Sequence, residues 1–229
     1  MKAILFDIDG TLLWTDGAGR RAIHHALREV FGTTGPEDYW FDGKTDPQIT
    51  RELMVLAGHD EAYVEARLER LLTRYVERLE LELRDPAHMV TVYPGVPALL
   101  DAIGARDDAL LGLLTGNVVE GARAKLTAAG IDPGRFVVGA FGSDHGHRPE
   151  LPGIARQRIL DELGHHLHGG DIVIIGDTPS DIECGRSLGV RAIGVATGRY
   201  QVAELARHAP HAVFEDLSDT AAVLRAIFD

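Results

Sequence analysis

Long hydrophobic runs are missing from this 229-residue chain, and so is any excess of positive charge. No apolar stretch reaches bilayer-spanning length, and Asp7 and Asp9 interrupt the first residues before a signal-type apolar segment can form. The formal charge of −12 argues against a broad surface for nucleic acid or anionic membrane, because those partners are bound by clustered Lys and Arg. A small anionic ligand is still compatible with that charge, provided local cations or a metal ion offset the repulsive field. The single cysteine, Cys184, excludes an internal disulfide; its mixed apolar setting marks it as a packing residue, and a reducing cytoplasm is the expected location. Repeats and low-complexity tracts are absent too. The remaining composition, 45% hydrophobic, is that of a globular protein able to bury a substantial core.

Against that background the first dozen residues stand out. Ala3 to Phe6 is a short continuous apolar run, as in a strand buried on both faces, and it ends abruptly at Asp7, Asp9 and Gly10. Two aspartates two residues apart point the same way on an extended backbone, so their charges repel unless a cation or proton is shared. The alternative reading is an ordinary strand-end acid followed by an Asp-Gly turn.

After a turn-rich break at Thr15 to Gly19, apolar spacing predicts a helix over Arg20 to Phe31. Tyr39, Trp40 and Phe41 read as a packed loop anchor. Asp46-Pro47 reads as an N-cap with proline at the first helical position, opening a helix to about Ala57. One apolar stripe from Val64 to Leu79 makes a further helix within 60–83, its charged face solvated. Residues 15–92 therefore form an all-helical insertion, closed by Tyr93-Pro94-Gly95, while 1–14 and 93–229 make up an α/β core.

In that core, strands are expected at 109–114, 136–140, 171–175, 191–195 and 212–214. Helices are expected at 96–103, 118–129, 151–163, 179–188, 202–207 and 220–228. Such alternation implies a doubly wound, Rossmann-like parallel sheet with helices on both faces, joined by the opening strand. Ligands of such sheets bind beyond the carboxyl ends of the strands. Polar groups sit at those ends. Thr115-Gly116-Asn117 offers a hydroxyl, a close-approach glycine and N–H groups at a helix start, or else a simple Gly-Asn turn capped by Asn117. Gly176-Asp177-Thr178-Pro179-Ser180-Asp181 places one acid at a strand tip and a second in the following helical turn, an arrangement that invites a divalent cation.

Asp7-Ile8-Asp9-Gly10-Thr11, then Thr115, then Gly176-Asp177 with Asp181 resemble, in order, the first, second and fourth motifs of the haloacid dehalogenase superfamily. The helical insertion resembles the cap of its phosphoglycolate phosphatase and beta-phosphoglucomutase relatives. The family's third motif supplies a lysine, often Lys-Pro; here the matching place reads His147-Arg148-Pro149. Arg148 takes that role, with Arg156 the alternative, although a planar guanidinium and an ammonium are not interchangeable.

The resemblance implies a Mg2+-dependent phosphatase of a small phosphorylated metabolite. In that reading Asp7 and Asp177 ligate the ion through carboxylates and Asp9 through its main-chain carbonyl, with Asp181 holding a water or Arg148. Asp7 forms an aspartyl-phosphate, and Asp9 serves as acid and then base. Thr115, Gly10, Gly116 and Asn117 surround the phosphate, while Arg20, Lys44 and Thr45 face the substrate from the insertion. Dehalogenases of the superfamily characteristically lack the second acid, so Asp9 favours phosphoryl transfer. A sugar-phosphate mutase and a non-catalytic phosphate-binding protein are the competing readings. The expected assembly is a monomer or homodimer without nucleic-acid or membrane partners. The histidines at 145, 147, 165, 166 and 168 show no repeating metal-ligand spacing.

Overall fold

The computed structural model describes residues 1–229. Eight strands run in chain order: β1 Lys2–Phe6, β2 Leu13–Trp14, β3 Thr91–Val92, β4 Ala109–Thr115, β5 Val138–Phe141, β6 Ile172–Gly176, β7 Arg191–Val195 and β8 Ala212–Phe214. Nine helices accompany them: α1 Ala18–Phe31, α2 Asp46–Leu56, α3 Glu61–Arg84, α4 Val96–Gly104, α5 Val119–Ala128, α6 Leu151–Leu163, α7 Pro179–Cys184, α8 Val202–Ala206 and α9 Thr220–Phe228. Six strands pair in the order β5-β4-β1-β6-β7-β8, all in parallel. No helix is long and apolar enough to cross a membrane.

The period-two pleat divides β1 between two cores. Ile4 and Phe6 face the layer holding α4, α5 and α9, whereas Ala3 and Leu5 face α6 and Cys184 of α7. All four are fully buried, which is why the strand reads as a continuous apolar run. β1 lies between β4 and β6, where the chain changes its direction of travel across the sheet. Its carboxyl end therefore opens into the crevice typical of ligand sites in this architecture.

Helices α1, α2 and α3 build a separate apolar cluster around Ile23, Leu27, Leu53, Leu71 and Tyr75. The chain leaves for this layer after β2 and returns through β3, and those two short strands pair antiparallel. Tyr39 and Phe41 pack against the cluster, as a loop anchor should, while Trp40 stays exposed beneath the Arg199 guanidinium.

Several boundaries differ from expectation. The N-cap of α2 is Thr45 rather than Asp46: its hydroxyl accepts the Gln48 N–H, and Asp46 and Pro47 open the helix. The capping work goes to threonine because the Asp46 carboxylate is drawn across to the core. The expected helix 179–188 breaks at Gly185 into α7 and a 3-10 turn, Arg186–Leu188. Strand β5 begins two residues late because Phe136 closes a 3-10 turn at Pro133–Arg135.

Candidate active site

β1 delivers Asp7 to the crevice by one further sheet-like bond, its N–H donating to the Ile175 carbonyl at 3.0 Å. The chain then turns sharply. Gly10 adopts φ +82°, and a side chain there would collide with the Asp177 carboxylate, so only glycine lets the two strand tips approach. Thr11 donates its hydroxyl to Asp177 Oδ1 at 3.1 Å and ties β1 to β6. Asp177 follows β6 directly. Asp181 closes a capping box with Thr178, accepting both the Thr178 N–H at 3.0 Å and its hydroxyl at 2.7 Å through Oδ2.

Carboxylate oxygens of Asp7, Asp177 and Asp181 come within 4.8 Å of one another, all buried. Arg148 lies among them, 97% buried, with Nη2 at 3.3 Å from Asp7 Oδ2 and in contact with Asp181 Oδ1. Arg156, on α6, forms no ion pair with these acids, so the geometry selects Arg148 as the cation at the third-motif position. Its Nε is buried without a hydrogen-bond partner.

One guanidinium does not balance three carboxylates. Burial pushes the Asp7 carboxyl up to about 6, with Asp181 and Asp9 adding to the rise and Arg148 and the Thr115 hydroxyl opposing it. Asp177 is raised well above its ordinary value by burial and by the charges of Asp181 and Asp7. Arg148 is held protonated by Asp181 and Asp7 against the opposing effect of its own burial. Oxygen donors crowded in this way fit a hard dication, which would sit among Asp7, Asp177 and the neighbouring backbone oxygens. Cys184 is buried behind them; burial pushes its thiol up to about 12, consistent with an inert packing role.

The Asp9 side chain faces elsewhere. Its Oδ2 accepts from the Asn117 amide at 2.8 Å and from the Lys125 ammonium at 2.6 Å. Asn117 also donates to Thr115 Oγ1 at 2.8 Å, so its side chain joins the site rather than capping α5, whose N-cap is Val118. Lys125 was not legible as a site residue, because one lysine on an amphipathic helix gives no sequence signal; its position is set only when α5 packs between the core and α3 of the helical layer.

The insertion closes this side of the crevice. Gly116 accepts the Asp46 N–H at its carbonyl (2.8 Å), and a side chain at Gly116 would strike the Lys44 carbonyl. The close approach required of this glycine is thus to another part of the chain. Asp46 Oδ2 accepts the Val118 N–H at 2.9 Å, and burial pushes that carboxyl up to about 6. Thr45, expected to face substrate, is fully buried and donates its hydroxyl to the Gly146 carbonyl at 2.7 Å. Arg20 and Lys44 do line the cavity beside Asp7 and Asp9, whose volume is about 180 Å³. Both are already engaged: Arg20 donates to the Tyr39 carbonyl at 3.0 Å, and Lys44 to Glu52 and the Tyr39 hydroxyl at 2.7 Å each.

Known proteins resemble this chain in sequence and fold. The chain is 29% identical over 231 residues to the phosphoglycolate phosphatase of Rhodospirillum rubrum, covering 95% of this chain and 88% of that one. It is 28% identical to the phosphoglycolate phosphatase of Aquifex aeolicus over 83% of each chain. Among solved structures, a hydrolase from Pseudomonas syringae superposes over the full length of both chains with a TM-score of 0.73 at 21% identity. A Thermotoga maritima protein assigned as a beta-phosphoglucomutase does so at a TM-score of 0.62 and 21% identity. Residues 4–195 match the haloacid dehalogenase-like hydrolase family, and with its acids, arginine and parallel sheet in the positions described, the chain belongs to that family.

Proposed function

We propose that this hydrolase removes phosphate from a small phosphomonoester through a covalent intermediate on Asp7. The observation that carries the reading is the convergence of Asp7, Asp177, Asp181 and Arg148, all buried, at the carboxyl edge of the sheet. Asp7, Asp177 and the Asp9 main-chain carbonyl would hold magnesium, with Asp181 fixed behind them against Arg148. A bound dication offsets the carboxylate charge and polarises a phosphoryl oxygen.

In the first half-reaction a carboxylate oxygen of Asp7 bonds to phosphorus while the bond from phosphorus to the leaving oxygen breaks. Asp9 gives that oxygen its proton. In the second, Asp9 takes a proton from water as the water oxygen bonds to phosphorus. The bond to Asp7 breaks, and inorganic phosphate leaves. Thr115 and the N–H groups that follow it, with Arg148, hold the phosphoryl oxygens.

The helical layer over 15–92 acts as the cap and limits the leaving group. The small cavity, with Arg20 and Lys44 on its wall, suits a short substrate carrying a second anionic group. The names of the curated relatives put 2-phosphoglycolate first among candidates.

Purified protein assayed with magnesium against small phosphomonoesters, 2-phosphoglycolate included, should release inorganic phosphate. Asp7→Asn should lower the rate more than about a thousandfold, and chelation should remove activity reversibly. Interconversion of isomers that needs a bisphosphate primer would select a mutase instead. An Asp7→Asn protein matching its parent would sink the covalent reading.

A further inference from the structure

We propose that Lys125 is a positioning residue that fixes the Asp9 carboxylate for proton transfer, leaving Oδ1 as the oxygen that carries the proton. This inference rests on the acid–base role proposed above for Asp9.

Lys125 is one of three lysines in the chain, and it is 97% buried. Burying an ammonium is unfavourable unless it is fully paired, and an apolar residue at this helix position would pack at no such cost. Its side chain is aimed at two acceptors: Asp9 Oδ2 and Asn117 Oδ1, each at 2.6 Å. Because an ammonium only donates, it fixes which way the Asn117 amide points, with Oδ1 toward Lys125 and the NH2 group toward Asp9 and Thr115. Two donors therefore converge on Oδ2 of Asp9. Oδ1 has no partner and belongs to a side chain still one-third exposed to the cavity.

Thr115 is locked by the same amide, so one ammonium orders the second acid and the phosphate-facing hydroxyl together. Gly19 of α1 closes over the ammonium: a Cβ there would stand 3.3 Å from Nζ and 3.7 Å from the Tyr75 hydroxyl. The helical layer thereby shields the ammonium from water, which strengthens its bonds electrostatically.

A substrate with a good leaving group separates this role from a structural one. With p-nitrophenyl phosphate and magnesium, the first step releases nitrophenolate, which departs without a proton. The second step still needs water activated by Asp9. Rapid mixing of Lys125→Met should give a burst approaching one nitrophenolate per active site, then a steady rate about a hundredfold below the parent, with KM little changed. Lys125→Gln should repeat the pattern, and Lys125→Arg should recover part of the steady rate. Combining Lys125→Met with Asp9→Asn should be no slower than Asp9→Asn alone, because both act on one group.

A Lys125→Met protein that turns over at the parental rate, loses the burst, or changes only in KM would overturn the proposal, as would full additivity with Asp9→Asn. Asp7→Asn measured alongside separates the two levels. A burst in that variant would discredit the covalent reading itself, whereas the absence of one leaves any failure with Lys125.

Discussion

Two acid clusters lie side by side at the end of β1, and they balance charge in different ways. Around Asp7, Asp177 and Asp181, three buried carboxylates face one guanidinium, and burial pushes Asp7 up to about 6. Asp9, two residues further on, has an ammonium and an amide on a single oxygen and keeps access to the cavity. The first cluster calls for a dication; the second is paired by the chain's own residues. In the proposed mechanism the first receives and attacks the anion, and the second moves protons.

The largest effect is expected at Arg148. Arg148→Met leaves Asp7 and Asp181 buried with no counter-charge, which should lower stability by about 3–5 kcal/mol in denaturant unfolding and abolish measurable phosphate release. Arg148→Lys should fold but keep only part of the activity, since a single guanidinium nitrogen, Nη2, meets both Asp7 and Asp181, and an ammonium on a shorter side chain reaches that place less well. Equal activity in Arg148→Lys and the parent would show that the longer reach of the guanidinium is irrelevant here.

Metal dependence should follow pH with a definite sign. Asp7 and Asp46 both hold protons more tightly in the folded protein, near 6 against an ordinary value of 3.8. Their contribution to stability is therefore full below about pH 4 and is lost as pH rises through about 6. Metal-free protein should show a falling Tm across that window. The increase in Tm produced by added magnesium should grow over the same range, because the ion binds the deprotonated acids. A magnesium effect that is equal at pH 4.5 and pH 7.5 would contradict this.

The smallest change isolates the interface between the layers. Asp46→Asn keeps an acceptor for the Val118 N–H but removes a buried charge. It should stabilise the protein by on the order of 1 kcal/mol at pH 7.5, after the loss of a favourable charge at the start of α2. Below pH 4 the two proteins should unfold alike. Thermal melts at the two pH values check both halves of the expectation.

Much of the fold was legible because β1, β4 and β6 are short apolar runs that end in polar residues, and a parallel sheet places such ends along one edge. The helical layer was legible from the apolar stripe of α3 and the spacing in α1. Helix starts were less so: whether Thr45 or Asp46 caps α2 depends on what lies opposite, and Val118 N–H draws the Asp46 carboxylate away. The places of Thr45 and Lys125 were not legible for the same reason. A threonine next to Asp-Pro and a lysine on a helix take their roles from residues 101 and 116 positions distant in the chain, at Gly146 and Asp9.

What the sequence by itself determined is the inventory: which acids occur, in what order, and at the ends of which strands, because local periodicity and turn chemistry are written in neighbouring residues. What only the tertiary structure decided is pairing. Arg148 rather than Arg156, Oδ2 rather than Oδ1 of Asp9, and the cover of Gly19 over Lys125 depend on how helices dock across the sheet edge. Electrostatic and hydrogen-bond partners act over a few ångströms of space, and sequence separation carries no record of that distance.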